Sequence, residues 1–369
     1  MELRKAKDIY IKHAEKFDDN DGKYLPLILE CMLTEEESAM CCEMPDTIEN
    51  LAKKTGKTVE ETLAIVKECT RKGAVHYGPD SSMAYNVKYI VTLTDYGAAT
   101  PHYDKERGEF YDLLKALRLD PDYLQEFGQQ ILEDGAGEPC FRVVPRWDAI
   151  KHIPGVMPCE SMPDILREHD GKISTVRCIC RTVIHDRFCG VFEGTLPEEG
   201  HCVKFGEVAE HYVENMGVGS YVSADTIMKR FEHDKNQNFY HMLCNTREIK
   251  GGFCNCCDCC CDMRYGGKAL GDVKKALSPS RFMASCDANC CIGCGTCAAK
   301  CPFDAVKLVD GCCTIDKDKC MGCGVCVVNC PAEVLQLDLV RGPEHIPTGG
   351  PQHIYESLKS LELDKKKEL

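Results

Sequence analysis

The sequence predicts an α+β protein in three parts. These are an N-terminal helical unit closed by a β-hairpin, a central cysteine-rich domain that is mainly helical, and a small C-terminal unit built on an internal repeat. Three observations carry this. Apolar residues recur at helical spacing through most of the first two-thirds, strand-like runs bounded by turn residues are few and short, and the last third writes one cysteine phrase twice. The divisions fall at residues 1–95, 96–275 and 276–340, with a tail at 341–369.

At 369 residues two or three units are expected, and the 29 cysteines say more than the length. The chain opens Met1-Glu-Leu-Arg-Lys-Ala-Lys7, charged and without the apolar core of a leader. The thiols are therefore expected to be reduced and mostly metallated, in a cytoplasmic and anaerobic setting. No run approaches the roughly 18 apolar residues of a membrane span. A formal charge of −14 opposes binding to nucleic acid or anionic lipid and suits docking to a partner with a basic patch.

In the N-terminal unit, Thr34-x-x-Glu37 and Thr58-x-x-Glu61 are capping boxes, each satisfying orphan N–H donors at the start of a helix. Asp46 to Thr55, then Gly56-Lys57, then Thr58 to Lys72 read as helix, tight turn and helix, with Gly73 as the stop. Val75 to Tyr77 and Ala84 to Val91 are strand-like around the turn chemistry of Gly78 to Ser82. This order resembles a winged-helix domain over residues 24–94. Its second helix sets Glu60, Glu61 and Glu68 against Lys67, Arg71 and Lys72. A DNA reader presents Arg, Lys, Asn or Gln where this helix starts with glutamates, so a structural or docking role is expected.

Phe110, Leu113, Leu114 and Leu117 mark one helix, and Leu124, Phe127, Ile131 and Leu132 another, broken apart at Asp120-Pro121. Pro139, Pro145, Pro154, Pro158 and Pro163 punctuate an irregular connection. Ile173 to Val176 then reads as a buried strand leading into Cys178-Ile-Cys180-Arg181, and Cys189 and Cys202 follow. Val208, Ala209, Tyr212, Val213 and Met216 form one helix face, and Ser223 caps a further helix. Next comes Cys254-Asn-Cys256-Cys257-Asp-Cys259-Cys260-Cys261, six cysteines in eight residues. A row of thiols flanked by Asn255, Asp258 and Asp262 is not a packing choice. Neighbours point different ways, so one cubane cannot take all six. The economical arrangement joins some of them with Cys178, Cys180, Cys189 and Cys202 around metal, which makes ligation a staple between distant segments. Ten thiols allow one or two further iron–sulfur clusters of open type, or one cluster with a redox-active surplus; iron–sulfur is preferred to zinc because a neighbouring redox domain needs an electron partner. Arg181 either donates to cluster sulfur or makes a surface ion pair, and His185 and His201 lie close by in sequence without ligand spacing.

The repeat reads Cys291-Ile-Gly-Cys294-Gly-Thr-Cys297-Ala-Ala-Lys-Cys301-Pro302 and Cys320-Met-Gly-Cys323-Gly-Val-Cys326-Val-Val-Asn-Cys330-Pro331. In this spacing three thiolates wrap one cubane and the fourth reaches across to the other. The expected sets are Cys291, Cys294, Cys297 and Cys330 for one [4Fe-4S] cluster, and Cys320, Cys323, Cys326 and Cys301 for the second. Zinc on paired C-x2-C would need only four sulfurs per metal. Gly293, Gly295, Gly322 and Gly324 allow the tight turns that aim N–H groups at sulfur. Cys286, Cys290, Cys312 and Cys313 are read as spare thiols.

The repeat resembles the bacterial two-[4Fe-4S] ferredoxins, which implies a pair of βαβ units holding two cubanes close together. The winged-helix-like start, the Cys-x-Cys-Arg phrase, the Cys-Asn-Cys-Cys-x-Cys-Cys-Cys phrase and this repeat together resemble a family of anaerobe multi-cluster iron–sulfur proteins. That resemblance implies electron transfer with a redox protein or within a larger oxidoreductase complex. Two other roles stay open: a reductase with its own active site at the central cysteines, and a redox-sensing DNA-binding regulator. Gly217-Val-Gly219 lacks the third glycine of a dinucleotide fingerprint and Gly266-Gly-Lys268 lacks Walker spacing, so no nucleotide or flavin site is expected. Catalytic residues and any small-molecule substrate are not assigned.

Overall fold

The computed structural model describes residues 3–18, 21–77, 82–87, 90, 92–94, 107–134, 137–185 and 202–349. Residues 350–369 of the tail lie outside them, as do Cys189 and His201 and the side chain of His185.

Both capping boxes form. The Glu37 N–H donates to Thr34 Oγ1 at 3.2 Å while the Thr34 N–H donates to the Glu37 carboxylate at 2.7 Å, and Thr58 and Glu61 repeat the exchange. They launch helices Glu35–Cys42 and Val59–Arg71, and Ile48–Thr55 lies between, ending at Gly56 with φ 69°. Three short strands, β1 (Asp46–Thr47), β2 (Val75–His76) and β3 (Met83–Asn86), form an antiparallel sheet in the order β1-β3-β2. Leu25, Ile28, Leu29, Leu51, Val66 and Cys69 fill the interior, and helix Arg107–Arg118 lays Leu113, Leu114 and Leu117 against helix Leu25–Met32.

The central domain departs from the expectation of a mainly helical unit. It is organised by a seven-stranded sheet made of β4 (Phe141–Val144), β5 (Ile173–Val176), β6 (Cys202–Phe205), β7 (Ser220–Val222), β8 (Tyr240–Cys244), β9 (Gly252–Cys256) and β10 (Leu277–Ser278). The order is β10-β4-β8-β9-β6-β5-β7, antiparallel except for the β10–β4 pair. Of these strands β5 alone matches a strand expected from the sequence; the others carry no such signal because most are four or five residues long and buried on both faces, so alternation, the usual strand signature, is missing. One face packs Val203, Phe205, Leu243 and Phe253 under helices Met162–Glu168 and Ala224–His233. The opposite face carries Cys202, Tyr240, Met242 and Cys256 into the core shared with the N-terminal unit.

The C-terminal unit is pseudo-symmetric. Here β11 (Phe282–Cys286) pairs with β14 (Leu335–Leu339), and β12 (Val306–Val309) pairs with β13 (Cys312–Ile315), both antiparallel. Short helices Thr296–Ala299 and Val325–Val328 follow the two cysteine runs. Buried polar contacts join this unit to the central sheet. Arg281 makes a two-pronged pair with Glu160, Nε to Oε1 at 3.0 Å and Nη2 to Oε2 at 2.8 Å. The Arg146 N–H donates to the Cys323 carbonyl at 2.9 Å. The Tyr240 ring packs on Phe303 with centroids 4.7 Å apart.

Candidate metal centres

Two cysteine-lined cavities of closely similar size lie in the C-terminal unit, with about 320 Å³ and 310 Å³ of non-atom space that includes their openings to solvent. The larger is lined by Cys320, Cys323, Cys326 and Cys301, and the smaller by Cys291, Cys294, Cys297 and Cys330. Each therefore gathers three thiols from one run and the fourth from the other. The local cause is the turn within each run. Gly322 has φ 65°, and a Cβ there would stand 2.1 Å from the Phe282 carbonyl oxygen, so only glycine brings the second run this close to β11.

The surroundings differ. Cys320, Cys323 and Cys326 are buried, and burial pushes the Cys323 thiol up to about 12, partly opposed by the Arg146 guanidinium. Burial likewise raises Cys301 and Cys326. Around the smaller cavity Cys294 is exposed and Ile292 is 67 % exposed. Cys291 is drawn below the ordinary thiol range by backbone N–H groups of Gly293 and Cys313, the latter 3.4 Å from its sulfur, and Cys294 by Thr296. Cys313, read from sequence as spare, is a fifth thiol on this cavity; it sits opposite Leu308 in the β12–β13 register, and Leu308 lines the same wall. Hairpin register was the missing signal.

In the central domain the cysteine row divides at the end of β9. Strand geometry sends Cys254 and Cys256 to one face and Phe253 and Asn255 to the other. Register sets Cys202 opposite Cys254, with their sulfurs 4.0 Å apart, and Tyr240 opposite Cys256. Cys178 and Cys180 arrive after β5, where helix Ile179–His185 begins, and Cys261 stands at the N-terminus of helix Asp262–Ala269. Six thiols thus share one interior region: Cys178, Cys180, Cys202, Cys254, Cys256 and Cys261. Cys178 is lowered to about 7 by Cys180 and then by Arg181. Cys254 is lowered by Cys202 and Cys256, and Cys261 by Cys256 with help from the Tyr240 hydroxyl, while Cys180, Cys202 and Cys256 rise. In each case the ionised form is favoured by hydrogen bonds from neighbouring thiols, and sulfur donors gathered this way suit a thiophilic metal.

Cations are built around these thiols. Arg181 is buried, donates to the Asn255 carbonyl and acts on Cys178 and Cys254; the surface ion pair considered for it is replaced by this buried position. Arg118 pairs with Asp262, whose carboxylate accepts from the Cys180 thiol at 3.4 Å, and the buried Lys204 acts on Cys202 and Cys254. Sequence reasoning missed Arg118, Lys204 and Tyr240, because only the assembled fold brings the end of helix Arg107–Arg118 and strands β6 and β8 to the thiols.

The remaining three, Cys257, Cys259 and Cys260, form a tight group of their own beside these six, close enough that Cys257 acts on Cys178. The Cys259 sulfur lies 3.6 Å from that of Cys257 and 3.5 Å from that of Cys260.

No described helix is long and apolar enough to cross a membrane. No curated protein and no solved structure matches the chain. One family does: residues 313–336, which include Cys320, Cys323, Cys326 and Cys330, match the 4Fe-4S binding domain, and the clustered thiols that precede this segment agree with an iron–sulfur protein.

Proposed function

We propose that this chain is a multi-cluster iron–sulfur electron-transfer protein that serves as a subunit or docking partner of a larger oxidoreductase. The observation that carries the reading is the pair of cavities, each lined by three thiols of one run and one of the other. In this reading Cys291, Cys294, Cys297 and Cys330 hold one [4Fe-4S] cluster, and Cys320, Cys323, Cys326 and Cys301 hold the second. Cys178, Cys180, Cys202, Cys254, Cys256 and Cys261 supply the donors for further iron–sulfur. Bound clusters would supply one-electron storage. The chain's own residues do the rest. Burial of Cys320, Cys323 and Cys326 excludes water, Arg146 and Arg181 offset thiolate charge, and the exposed edge at Ile292 and Cys294 offers a partner the shortest approach.

The N-terminal unit fits a winged-helix docking module better than a DNA reader. Of the three basic residues in its second helix segment, Lys72 is buried against Glu37 at 2.8 Å and Arg71 pairs with Glu68 at 3.4 Å, which leaves Lys67 to meet phosphate. The expected outcome of a mobility-shift assay is no salt-sensitive, sequence-selective binding to genomic fragments.

Iron and acid-labile sulfide counts with Mössbauer spectra on anaerobically purified protein test the main reading. More than about eight irons per chain, the complement of two cubanes, is expected. Protein purified without sulfide would overturn it.

A further inference from the structure

We propose that Cys257, Cys259 and Cys260 bind a single thiophilic divalent ion, of the zinc class, at a site with its own ligands beside the interior iron–sulfur thiols. This deepens the reading above and rests on it only in leaving the other six central thiols to iron–sulfur.

Spacing is the first argument. Four sulfurs around one tetrahedral ion at about 2.3 Å stand roughly 3.8 Å from one another. The Cys259 separations here are 3.6 and 3.5 Å, and all three sulfurs lie within 4.8 Å of each other. A cubane holds each thiolate on a different iron and spreads them well beyond this. The structure supplies its own control. Among the described residues no other three His, Cys, Asp or Glu ligand atoms gather within 4.8 Å. The eight thiols of the two C-terminal cavities, and the six of the interior group, are spread more widely. Among the described residues such close approach therefore belongs to this one turn.

The turn is also held in shape. Its residues follow β9 directly, and two side chains of the next helix pin its carbonyls: Arg264 Nη1 donates to the Asp258 oxygen at 2.6 Å and the Tyr265 hydroxyl to the Cys259 oxygen at 2.9 Å. Ligands whose backbone is fixed by such contacts lose little freedom on binding. Arg264 is itself buried, so it sets a cation beside a site that carries one net negative charge when three thiolates bind a dication. Binding releases three thiol protons and needs no oxidant or reductant. Cys257 and Cys260 are buried while Cys259 is half-buried, which places the accessible side of the ion at Cys259. Three protein ligands leave a fourth position for water or an added thiolate.

The test uses the full chain, purified anaerobically from zinc-replete medium. Zinc-edge X-ray absorption should show one zinc per chain with three sulfur neighbours at about 2.3 Å. Cys259→Ser should lower the sulfur count to two and loosen the zinc, with iron and acid-labile sulfide unchanged. Wild-type protein without zinc overturns the proposal, as does zinc whose sulfur shell is unchanged by Cys259→Ser. A fall in sulfide on that substitution also overturns it, by assigning the thiols to a cluster. Failure of the electron-transfer reading looks different, since iron and sulfide would then be missing from wild-type protein whatever the zinc content.

Discussion

The C-terminal repeat and the central domain gather thiols by opposite routes. In the repeat, three ligands of each set come from seven consecutive residues, and a glycine turn such as that at Gly322 shapes the run; only Cys301 and Cys330 must be delivered by the fold. In the central domain Cys178 and Cys180, Cys202, and the Cys254 to Cys261 row are separated by long stretches of chain, and the β5–β6–β9 register brings them together. A local site tolerates damage elsewhere in the protein. A site assembled by sheet register shares its free energy with the sheet, so metal loss and unfolding become one event.

The largest effect should come from striking that register. Gly252 has φ 139°, and a Cβ there would lie 2.1 Å from the Val203 carbonyl oxygen, at the contact where β9 meets β6. Gly252→Ala is expected to cost roughly 3 kcal/mol in strain and displaced ladder. Central iron should be lost with it while the signals of the C-terminal clusters persist. Thermal unfolding beside iron counting checks both halves, and retention of all iron would erase the contrast drawn here.

Replacing Cys178 and Cys180 together by serine asks the same question from the ligand side. Iron should fall toward the roughly eight atoms of two cubanes, and the central domain should melt earlier than the C-terminal unit. Equal loss from both regions would mean that the two sites are not independent.

How far each region could be read from sequence follows the same division. The cysteine runs declared their chemistry through spacing alone, and the capping boxes at Thr34 and Thr58 and the stop at Gly56 announced their helices, because each of these is settled within a few residues. The seven-stranded sheet was not legible. Strands such as Val143-Val144 and Tyr240 to Cys244 are buried on both faces, and their partners lie far away in the chain. The division of the cysteine row into six and three was hidden for the same reason: it depends on where β9 ends. Cys313 and Tyr240 became visible only with the strand register that places them, and Arg118 only with the packing of its helix.

A smaller effect tests the one non-local feature of the repeat. Cys330 lines the cavity of Cys291, Cys294 and Cys297, so Cys330→Ala should alter the paramagnetic signal of that cluster and leave the other nearly unchanged. A change confined to the cluster of Cys320, Cys323 and Cys326 would show each run closing its own cubane.

The smallest expected effect separates the two C-terminal cavities from each other. Reduction adds negative charge, which burial opposes and cations or N–H donors favour. The larger cavity is the more deeply buried, and burial raises its Cys301, Cys323 and Cys326, whereas the smaller has exposed Cys294; each receives a backbone N–H on sulfur, from Ala305 on Cys301 and from Cys313 on Cys291. The cluster of Cys320, Cys323 and Cys326 should therefore have the lower potential of the two. Arg146 works against that tendency. Its guanidinium is held by the carbonyls of Gln237 and Phe239, both at 2.9 Å, stacks over the Phe239 ring at 4.1 Å, and stabilises charge at Cys323. Arg146→Gln removes the cation while retaining a donor, so the lower potential should drop by a further 50 mV or so, about 1 kcal/mol for a one-electron couple. Arg146→Lys should restore most of it. A redox titration followed by paramagnetic resonance reads both clusters at once, and a shift of the exposed cluster instead would place the charge of Arg146 at the wrong cavity.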